Sequence, residues 1–438
     1  MRRAGKICAL FALGVGGTSI SANVMAADAT TPLAKNSRVK AALQYLRDDD
    51  DRTLREQIEI TQIPSPPFKE AVRAADFASR LRAAGLTDVS IDGTGNVIGK
   101  RPGRGRGPLL ILSAHLDTVF PEGTQVSVQQ RDGRYQAPGI VDDSRGLVAV
   151  LSVLRAMESQ QLQTVGDVWF VGTVGEEALG NLRGVKGLFQ DHAGIDGFIS
   201  VDGVDTPDDV ASGRSEIINQ ATGSRRWEIT FTGPGGHSFG NFGSPSAIHA
   251  MGRAIATISE IRTPAEPRTT FNVGEVSGGT GVTAIASEAR MLVDMRSNSA
   301  QQLAALEKQI LQAVEDAVRA ENARWQSNAV RSEHKLLGDR PASTRATHPA
   351  LVDAAVAAYR EIGLAEPRLH FSSTDSNVPL GLGIPAATLS GGGVGDKAHS
   401  RDEWYQHVNA WQGPQVILLT TLRLAGLEGV SRPTLPDR

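Results

Sequence analysis

Several short segments of the chain carry side chains that bind metals or transfer protons. His115 and Asp117 follow the apolar run of residues 109–112, and Asp202 follows the apolar end of residues 197–201. A metal-bound imidazole usually donates its second N–H to a carboxylate, and Asp117 is placed for this role. Histidine nitrogens and carboxylate oxygens suit zinc. Each pair is common by itself, so the information lies in the combination of segments.

Two pairs of adjacent acids extend this pattern. Asp142 and Asp143 lie at the start of a predicted helix, where acids alone would only favour the helix dipole. Glu176 and Glu177 follow the apolar residues 168–171 and precede a glycine-containing loop. Adjacent glutamates often lie on solvated surfaces, but their position directly after a predicted strand favours a functional site.

A glycine-rich loop leads to the last candidate. Residues 391–395 contain four glycines and are followed by His399. The loop lacks the Lys-Ser/Thr ending and the strand-loop-helix context of a phosphate-binding loop. We therefore interpret it as a flexible approach to His399.

The elements that would position these residues follow an α/β pattern. Short apolar runs alternate with helical patterns, which predicts a central, mostly parallel sheet with helices on both faces. Ligands bind at the carboxyl ends of the strands in such sheets. This rule brings His115, Glu177 and Asp202 to one edge, and Asp142, at a helix start, joins them.

The pattern changes near residue 216. A strand, a helix, two strands and a long helix predict an inserted α+β domain with an antiparallel sheet over residues 216–333. The catalytic domain would then be discontinuous and comprise residues 38–215 and 334–438. Helical spacing over residues 39–60 predicts one long helix before the first strand.

The first 26 residues are typical of a cleavable export signal. Positive residues at positions 2, 3 and 6 precede an apolar stretch at 7–15, and small residues near Ala26 offer a cleavage site. We expect a periplasmic or secreted protein without a stable membrane anchor. The only cysteine, Cys8, lies in this segment, which leaves no thiol nucleophile in the mature protein. The net charge of -3 gives no reason to expect a nucleic-acid partner.

In this order, the segments resemble the family of co-catalytic zinc exopeptidases that includes tripeptidases of the peptidase T type, glutamate carboxypeptidases and aminoacylases. The resemblance implies two Zn²⁺ ions, with Co²⁺ or Mn²⁺ as possible substitutes. Asp142 would bridge the two ions. His115 and Asp202 would complete one site, and Glu177 and His399 the other. The family pattern also has a non-proline cis peptide bond after the bridging aspartate.

The resemblance also implies catalytic roles. Glu176 would be the general base for a water that bridges the metals and attacks the scissile carbonyl. Residues 235–238 resemble the lid histidine motif, and His237 would stabilise the oxyanion. Arg296 lies in a segment that resembles the arginine segment of the family and would pair with a substrate carboxylate. Relatives often dimerise through the inserted domain, so we expect a possible homodimer.

The substrate class stays open at this point. An aspartate at position 202 and the residues 373–377 resemble the aminopeptidase and di/tripeptidase groups, which favours short peptides. A carboxypeptidase or an N-acyl amino-acid amidohydrolase is the alternative among enzymes. A catalytically silent periplasmic binding protein is the alternative of another class, although such a protein would be expected to lose Glu176 or a ligand.

Overall fold

The computed structural model describes residues 32–343 and 349–436. The export signal predicted for residues 1–26 lies outside these ranges. Within them, no helix combines the length and the apolar character that a membrane span requires. The helices are α1 (Ser37–Asp48), α2 (Asp50–Thr61), α3 (Ala71–Ala83), α4 (Ser144–Ser159), α5 (Arg183–Asp191), α6 (Pro207–Ser212), α7 (Ala247–Ser259), α8 (Ala300–Arg324), α9 (Pro349–Glu361), α10 (Asn377–Gly381) and α11 (Gln412–Ala425).

The strands form one large sheet and three smaller ones. They are β1 (Asp88–Ile91), β2 (Val97–Arg101), β3 (Leu109–His115), β4 (Gln129–Arg131), β5 (Arg134–Gln136), β6 (Asp167–Thr173), β7 (Ile195–Val201), β8 (Glu216–Ala221), β9 (Gly223–Thr232), β10 (Gly236–His237), β11 (Thr269–Gly278), β12 (Ala284–Ile285), β13 (Glu288–Ser297), β14 (Arg331–Arg340), β15 (Arg368–Ser372), β16 (Ala386–Leu389), β17 (Val394–Asp396) and β18 (Trp404–Gln406).

The central sheet has eight strands in the order β1-β2-β6-β3-β7-β16-β8-β15. β3 runs parallel to both β6 and β7, and β16 runs parallel to β7. Only the pairs β1–β2, β2–β6 and β16–β8 are antiparallel. The predicted α/β fold with a mostly parallel sheet is therefore confirmed.

Helices cover both faces of this sheet, which explains why its central strands are continuous apolar runs. Leu110 and Leu112 of β3 pack into the larger core with α1, α3, α4, α9 and α11. Ile111, which points to the other face, packs into a second core with residues of α5 and α10. The sheet is thus held rigidly at the strands whose ends carry the candidate site.

A second domain, called the lid below, comprises residues 223–340. Its antiparallel sheet has the strand order β11-β13-β9-β14. Apolar residues of α7 and α8 form a separate core with this sheet. These separate antiparallel elements fit the predicted inserted domain.

The boundaries of the lid differ at both ends from the expected range 216–333. β8 pairs with β15 and β16 and so belongs to the central sheet. β14 pairs with β9 and so belongs to the lid. Both strands contain many polar residues and half-exposed positions, which give no apolar run to find in the sequence.

The predicted helix over residues 39–60 is divided into α1 and α2 at Asp49. Aspartate is a poor residue for a helix interior but favours helix starts, and four aspartates occupy positions 48–51. The break brings Asp49 Oδ2 within 2.8 Å of Nε of Arg155 on α4. The same arginine donates from Nη1 to Glu56 at 2.8 Å, so one buried cation joins α2 to α4.

Candidate metal centre

Parallel strands bring the predicted ligands to one edge of the central sheet. His115 is the last residue of β3, Asp202 directly follows β7, and Glu177 follows β6 after a short turn. Because these three strands are parallel neighbours, their carboxyl ends lie side by side. His399 reaches the same edge from the loop between β17 and β18.

Asp142 lies at the centre of the site. Its Oδ1 is 2.8 Å from Nε2 of His115, and its Oδ2 is 2.9 Å from Nε2 of His399. Nε2 of His399 is also 2.8 Å from Oε1 of Glu177. One carboxylate thus presents each of its oxygens to a different histidine, which is the arrangement that a ligand bridging two cations requires. The peptide bond between Asp142 and Asp143 is cis, as the sequence resemblance implied.

Among the residues that the structure describes, two groups of ligand atoms are close enough to hold a metal ion. Atoms of His115, Asp142 and Glu177 lie within 4.8 Å of one another, and so do atoms of His115, Asp143 and Asp202. Asp143 was not among the expected ligands, and its oxygens already accept the backbone N–H groups of His115 at 3.0 Å and Gly146 at 3.1 Å. We therefore interpret Asp143 as a support for the site.

The electrostatics of this cluster fit multivalent cations. Burial raises the pKa of Asp202 to about 7, and the nearby Asp142 adds to the shift. Burial and Asp142 also raise the pKa of Glu177. Burial opposes ionisation of Asp142 itself, but hydrogen bonds to the two histidines outweigh it and lower its pKa. Crowded, buried carboxylates of this kind are stabilised in their ionised form by a bound cation.

Asp117 acts differently from the expectation. Nδ1 of His115 lies 3.0 Å from the backbone carbonyl oxygen of Asp117 but 3.7 Å from its carboxylate. The carboxylate instead accepts the backbone N–H groups of Glu176 and Glu177, each at 2.9 Å. Asp117 therefore orients the imidazole through its main chain, while its side chain fixes the two glutamates. Sequence spacing alone could not distinguish these two contacts.

Glu403 is a supporting residue that was not predicted from the sequence. It is fully buried, and it accepts the backbone N–H groups of Gly139 at 2.9 Å, Val141 at 2.7 Å and Asp142 at 3.0 Å. Burial and the charge of Asp142 raise its pKa to about 7, against the effect of the three N–H donors. The only signal in the sequence is an acid four residues after His399.

Glu176 lies beside the ligand cluster and has its own cationic partner. Nη1 of Arg340, the last residue of β14, donates to Oε1 of Glu176 at 3.0 Å and to Oγ of Ser373 at 3.0 Å. Burial raises the pKa of Glu176 well above its usual value, and the charge of Arg340 opposes this shift. Arg340 was not predictable from the sequence, because β14 has no recognisable apolar pattern.

A cavity of about 620 Å³ opens above these residues. Its floor includes Asp142, Glu176, Glu177, Asp202 and His399, which come from the α/β domain. Arginines of the lid line it as well: Arg226, Arg296 and Arg340. Arg296, predicted to contact substrate, therefore faces the same cavity as the ligand cluster.

His237 is not among the residues that line this cavity. It is exposed on the short strand β10 of the lid, and its Nδ1 accepts the backbone N–H groups of Phe239 and Gly240, each at 3.2 Å. Because Nδ1 acts as an acceptor, a neutral ring carries its proton on Nε2. The exposed nitrogen is then a hydrogen-bond donor, which is the property that oxyanion stabilisation needs.

Comparison with known proteins gives a consistent result. The sequence pattern of peptidase family M20/M25/M40 matches residues 111–422. A tripeptidase structure from Staphylococcus aureus has a TM-score of 0.68 at 23% identity, over 85% of this chain and 97% of its own. Aminopeptidase PepT from Bacillus cereus has a TM-score of 0.67 at 22% identity, with the same coverage. These likenesses support the fold.

A curated relative also matches most of the chain. Succinyl-diaminopimelate desuccinylase of Corynebacterium glutamicum is 24% identical over 378 residues, which is 84% of this chain and 94% of the relative.

Proposed function

The chain belongs to peptidase family M20/M25/M40, and we propose that it is a zinc-dependent exopeptidase that hydrolyses short peptides in the manner of an aminopeptidase or a di/tripeptidase. The observation that carries this proposal is the position of Asp142 between His115 and His399, with Glu176 beside them. A peptide amide is uncharged, so its cleavage needs both an activated water and a polarised carbonyl, and this set of side chains suits both tasks.

Each ligand has a separate task in this proposal. Asp142 would hold both of two zinc ions, His115 and Asp202 would complete one site, and Glu177 and His399 would complete the other. When bound, the ions lower the pKa of a water and polarise the scissile carbonyl. Co²⁺ or Mn²⁺ can replace Zn²⁺ because their ligand preferences overlap.

Glu176 moves the proton. Arg340 occupies Oε1 of Glu176, which leaves Oε2 to accept a proton from the attacking water and to return it to the leaving amine. The raised pKa of the buried carboxyl suits the first half of this exchange, because a more basic carboxylate takes the proton of the water more readily. Arg296 contributes a charged hydrogen bond to a carboxylate of the substrate.

An N-acyl amino-acid amidohydrolase or a carboxypeptidase is the second candidate. It is favoured by the similarity to a desuccinylase over most of the chain. The same ligands and the same base would serve either reaction, because both cleave an amide.

The test is a substrate panel with the zinc-loaded protein. Dipeptides, tripeptides, N-blocked peptides and N-acyl amino acids are incubated with the wild type, with chelator-treated protein, and with Glu176→Gln as the control for the base. Metal-dependent release of the N-terminal residue from unblocked peptides is expected. Cleavage of blocked substrates alone would support the second candidate. Full activity in verified metal-free protein would contradict the proposal. The absence of activity in both the zinc-loaded and the metal-free protein would also contradict it and would favour a binding protein.

The exposed lid histidine motivates a homodimer. Phe239 and Phe242 next to His237 are 89% and 80% exposed, and Val282 of a neighbouring loop is fully exposed. Apolar side chains grouped in this way favour contact with another protein surface. The exposed edge strand β11 provides a further pairing surface. We propose that the lid of one subunit supplies His237 to the metals of another.

Export is proposed from the sequence of the first 26 residues alone. Cleavage before Ala27 would release the protein into the periplasm or the medium. Fractionation of the source cells, with N-terminal sequencing of the protein, tests this. Full-length protein in the cytoplasm would contradict it.

A further inference from the structure

The lid wall of the active-site cavity has an unusual charge. Three guanidinium groups line it, those of Arg226, Arg296 and Arg340. Arg340 is only 5% exposed and is paired with Glu176. Arg226 is 20% exposed and Arg296 is 47% exposed, so these two are within reach of a molecule in the cavity.

Arg226 and Arg296 share one carboxylate. Arg226 lies on β9 directly opposite Asp294 on β13. Oδ1 of Asp294 accepts from Nε of Arg226 at 3.2 Å, and Oδ2 accepts from Nε of Arg296 at 2.9 Å. A single negative charge therefore holds two positive groups side by side, which leaves one positive charge without compensation.

Most of the donors of this pair remain available. Arg226 donates from Nη1 to the backbone carbonyl oxygen of Ala178 at 2.7 Å, which fixes it next to the Glu176–Glu177 turn. In residues 32–343 and 349–436, no group accepts a hydrogen bond from Nη2 of Arg226 or from either Nη atom of Arg296. A guanidinium matches a carboxylate with two parallel N–H groups, so such donors suit an anionic ligand.

The neighbourhood of Arg226 strengthens this interpretation. Burial lowers its pKa, and Arg340 lowers it further, which reflects two cations held close together. On the other side of β9, the position opposite Arg226 is Gly338. A Cβ atom there would lie 3.6 Å from Cδ of Arg226 and 3.4 Å from Oδ1 of Asn181, which are ordinary van der Waals distances, so Gly338 lies directly beside the stem of the arginine.

We propose that Arg226 and Arg296 bind two carboxylates of one substrate, so that the enzyme prefers peptides or N-acyl amino acids whose residue on the leaving-amine side is aspartate or glutamate. The inference rests on the proposed amide hydrolysis and assigns its substrate class. Arg296 pairs with the terminal carboxylate, and Arg226 pairs with the side-chain carboxylate. An acidic side chain offers a charged acceptor to the unpaired Nη2 group of Arg226, whereas an amide side chain offers only a neutral one.

The experiment compares matched substrates. The zinc-loaded full chain is assayed with Ala-Glu and Ala-Gln, and with N-acetylglutamate and N-acetylglutamine. We expect the wild type to favour the acidic member of at least one pair by about 10–100-fold in kcat/KM, the usual effect of a hydrogen bond between charged groups. Arg226→Gln should remove most of this ratio, mainly through KM, and Arg226→Lys should restore part of it.

The control variant is Arg290→Gln. Arg290 is on β13 of the same sheet, carries the same charge and pairs with Glu228 and Glu275, but does not line the cavity. The Arg290→Gln variant should keep the wild-type ratio of kcat/KM between the acidic and the amide substrate. If Arg226→Gln lowers kcat/KM for both members of a pair equally, Arg226 is only structural and the inference is wrong. A wild type that does not discriminate within either pair also overturns it.

A binding measurement separates this inference from the proposed function. If none of the four compounds is hydrolysed, binding of glutamate and glutamine to the zinc-loaded protein is measured by calorimetry. A preference for glutamate that disappears in Arg226→Gln would support the acidic site, although the proposed function would fail. Hydrolysis without a preference for the acidic compounds would support the proposed function and overturn the inference. Equal binding of both ligands would overturn the inference.

Discussion

Asp117→Asn tests how the two glutamates are held in place. In the wild type, the buried carboxylate of Asp117 accepts the N–H groups of Glu176 and Glu177, each at 2.9 Å. Asparagine has the same shape, but only one of its two terminal atoms accepts hydrogen bonds. Its NH₂ group would face one of the backbone donors, so one hydrogen bond is lost and the other is no longer assisted by charge.

The expected magnitude follows from these two contacts. A hydrogen bond to a charged group contributes about 1.5–3 kcal/mol, and a neutral one about 1 kcal/mol. Loss of one bond and weakening of the other predict a destabilisation of about 2–4 kcal/mol. Because the same backbone carries the proposed base and a proposed ligand, a displacement of about 1 Å would lower the turnover number roughly a hundredfold.

The effect should depend on pH in a defined direction. Burial raises the pKa of Asp117, but His115 and the two backbone N–H groups outweigh burial and lower it below the usual 3.8. A group with a lowered pKa in the folded state stabilises the fold above its unfolded pKa and loses this effect as the pH falls through the folded pKa. The difference between wild type and Asp117→Asn should therefore be full at neutral pH and decrease below about pH 4.

Three measurements are needed: urea unfolding of the metal-free protein, zinc content, and turnover number. The control is Asp167→Asn, at the opposite end of β6, where an aspartate accepts one exposed backbone N–H from Gly103. The unfolding free energy of that variant should fall by less than about 1 kcal/mol, and its zinc content and turnover number should stay unchanged. If Asp117→Asn is as stable and as active as this control, its carboxylate does not hold the glutamates in the way described.

Three further predictions concern the base, the lid and the fold. Glu176→Gln should lower the turnover number about 10²–10⁴-fold with zinc content intact, while Glu177→Gln should lose one zinc; the reverse pattern in metal analysis would exchange their roles. His237→Ala should lower turnover about 10²–10³-fold, and mixing it with Glu176→Gln should recover activity if subunits exchange and the histidine serves its partner. If subunit exchange is verified and no activity is recovered, His237 serves the metals of its own chain. Arg155→Met should lower the unfolding free energy by about 3–5 kcal/mol in urea titrations, since Asp49 and Glu56 lose their buried cation; a loss below about 1 kcal/mol would show that both acids find other partners.

The sequence predicted those parts of the site that depend on the central strands. β3, β6 and β7 are apolar runs, so their ends, and with them His115, Glu177 and Asp202, followed from the general rule for parallel sheets. The contact between Asp142 and His399 spans 257 positions of the chain and came from the family resemblance, not from local pattern.

Other parts were not predictable, because they depend on polar contacts between distant segments. β14 has no apolar alternation, so neither its place in the lid nor the contact of Arg340 with Glu176 could be found. The carboxylate of Asp117 binds two amides 59 and 60 positions away instead of the imidazole two positions away. In both cases the side-chain type was visible, but its partner depends on the packed backbone.

The points where the chain enters and leaves the lid lie against each other. Ala221 and Ser343 exchange both backbone hydrogen bonds, at 3.0 and 3.1 Å, so the chain returns to the central sheet where it left it. All five proposed metal ligands lie outside residues 223–340, and Arg226, Arg296 and His237 lie inside. Selection can therefore alter the segment proposed to recognise the substrate without touching the metal ligands, as long as His237 and the contact of Arg340 with Glu176 are kept. Gene fusion or recombination at these two junctions would transfer specificity as a unit, which gives this architecture a simple route by which one reaction diversifies over many amides.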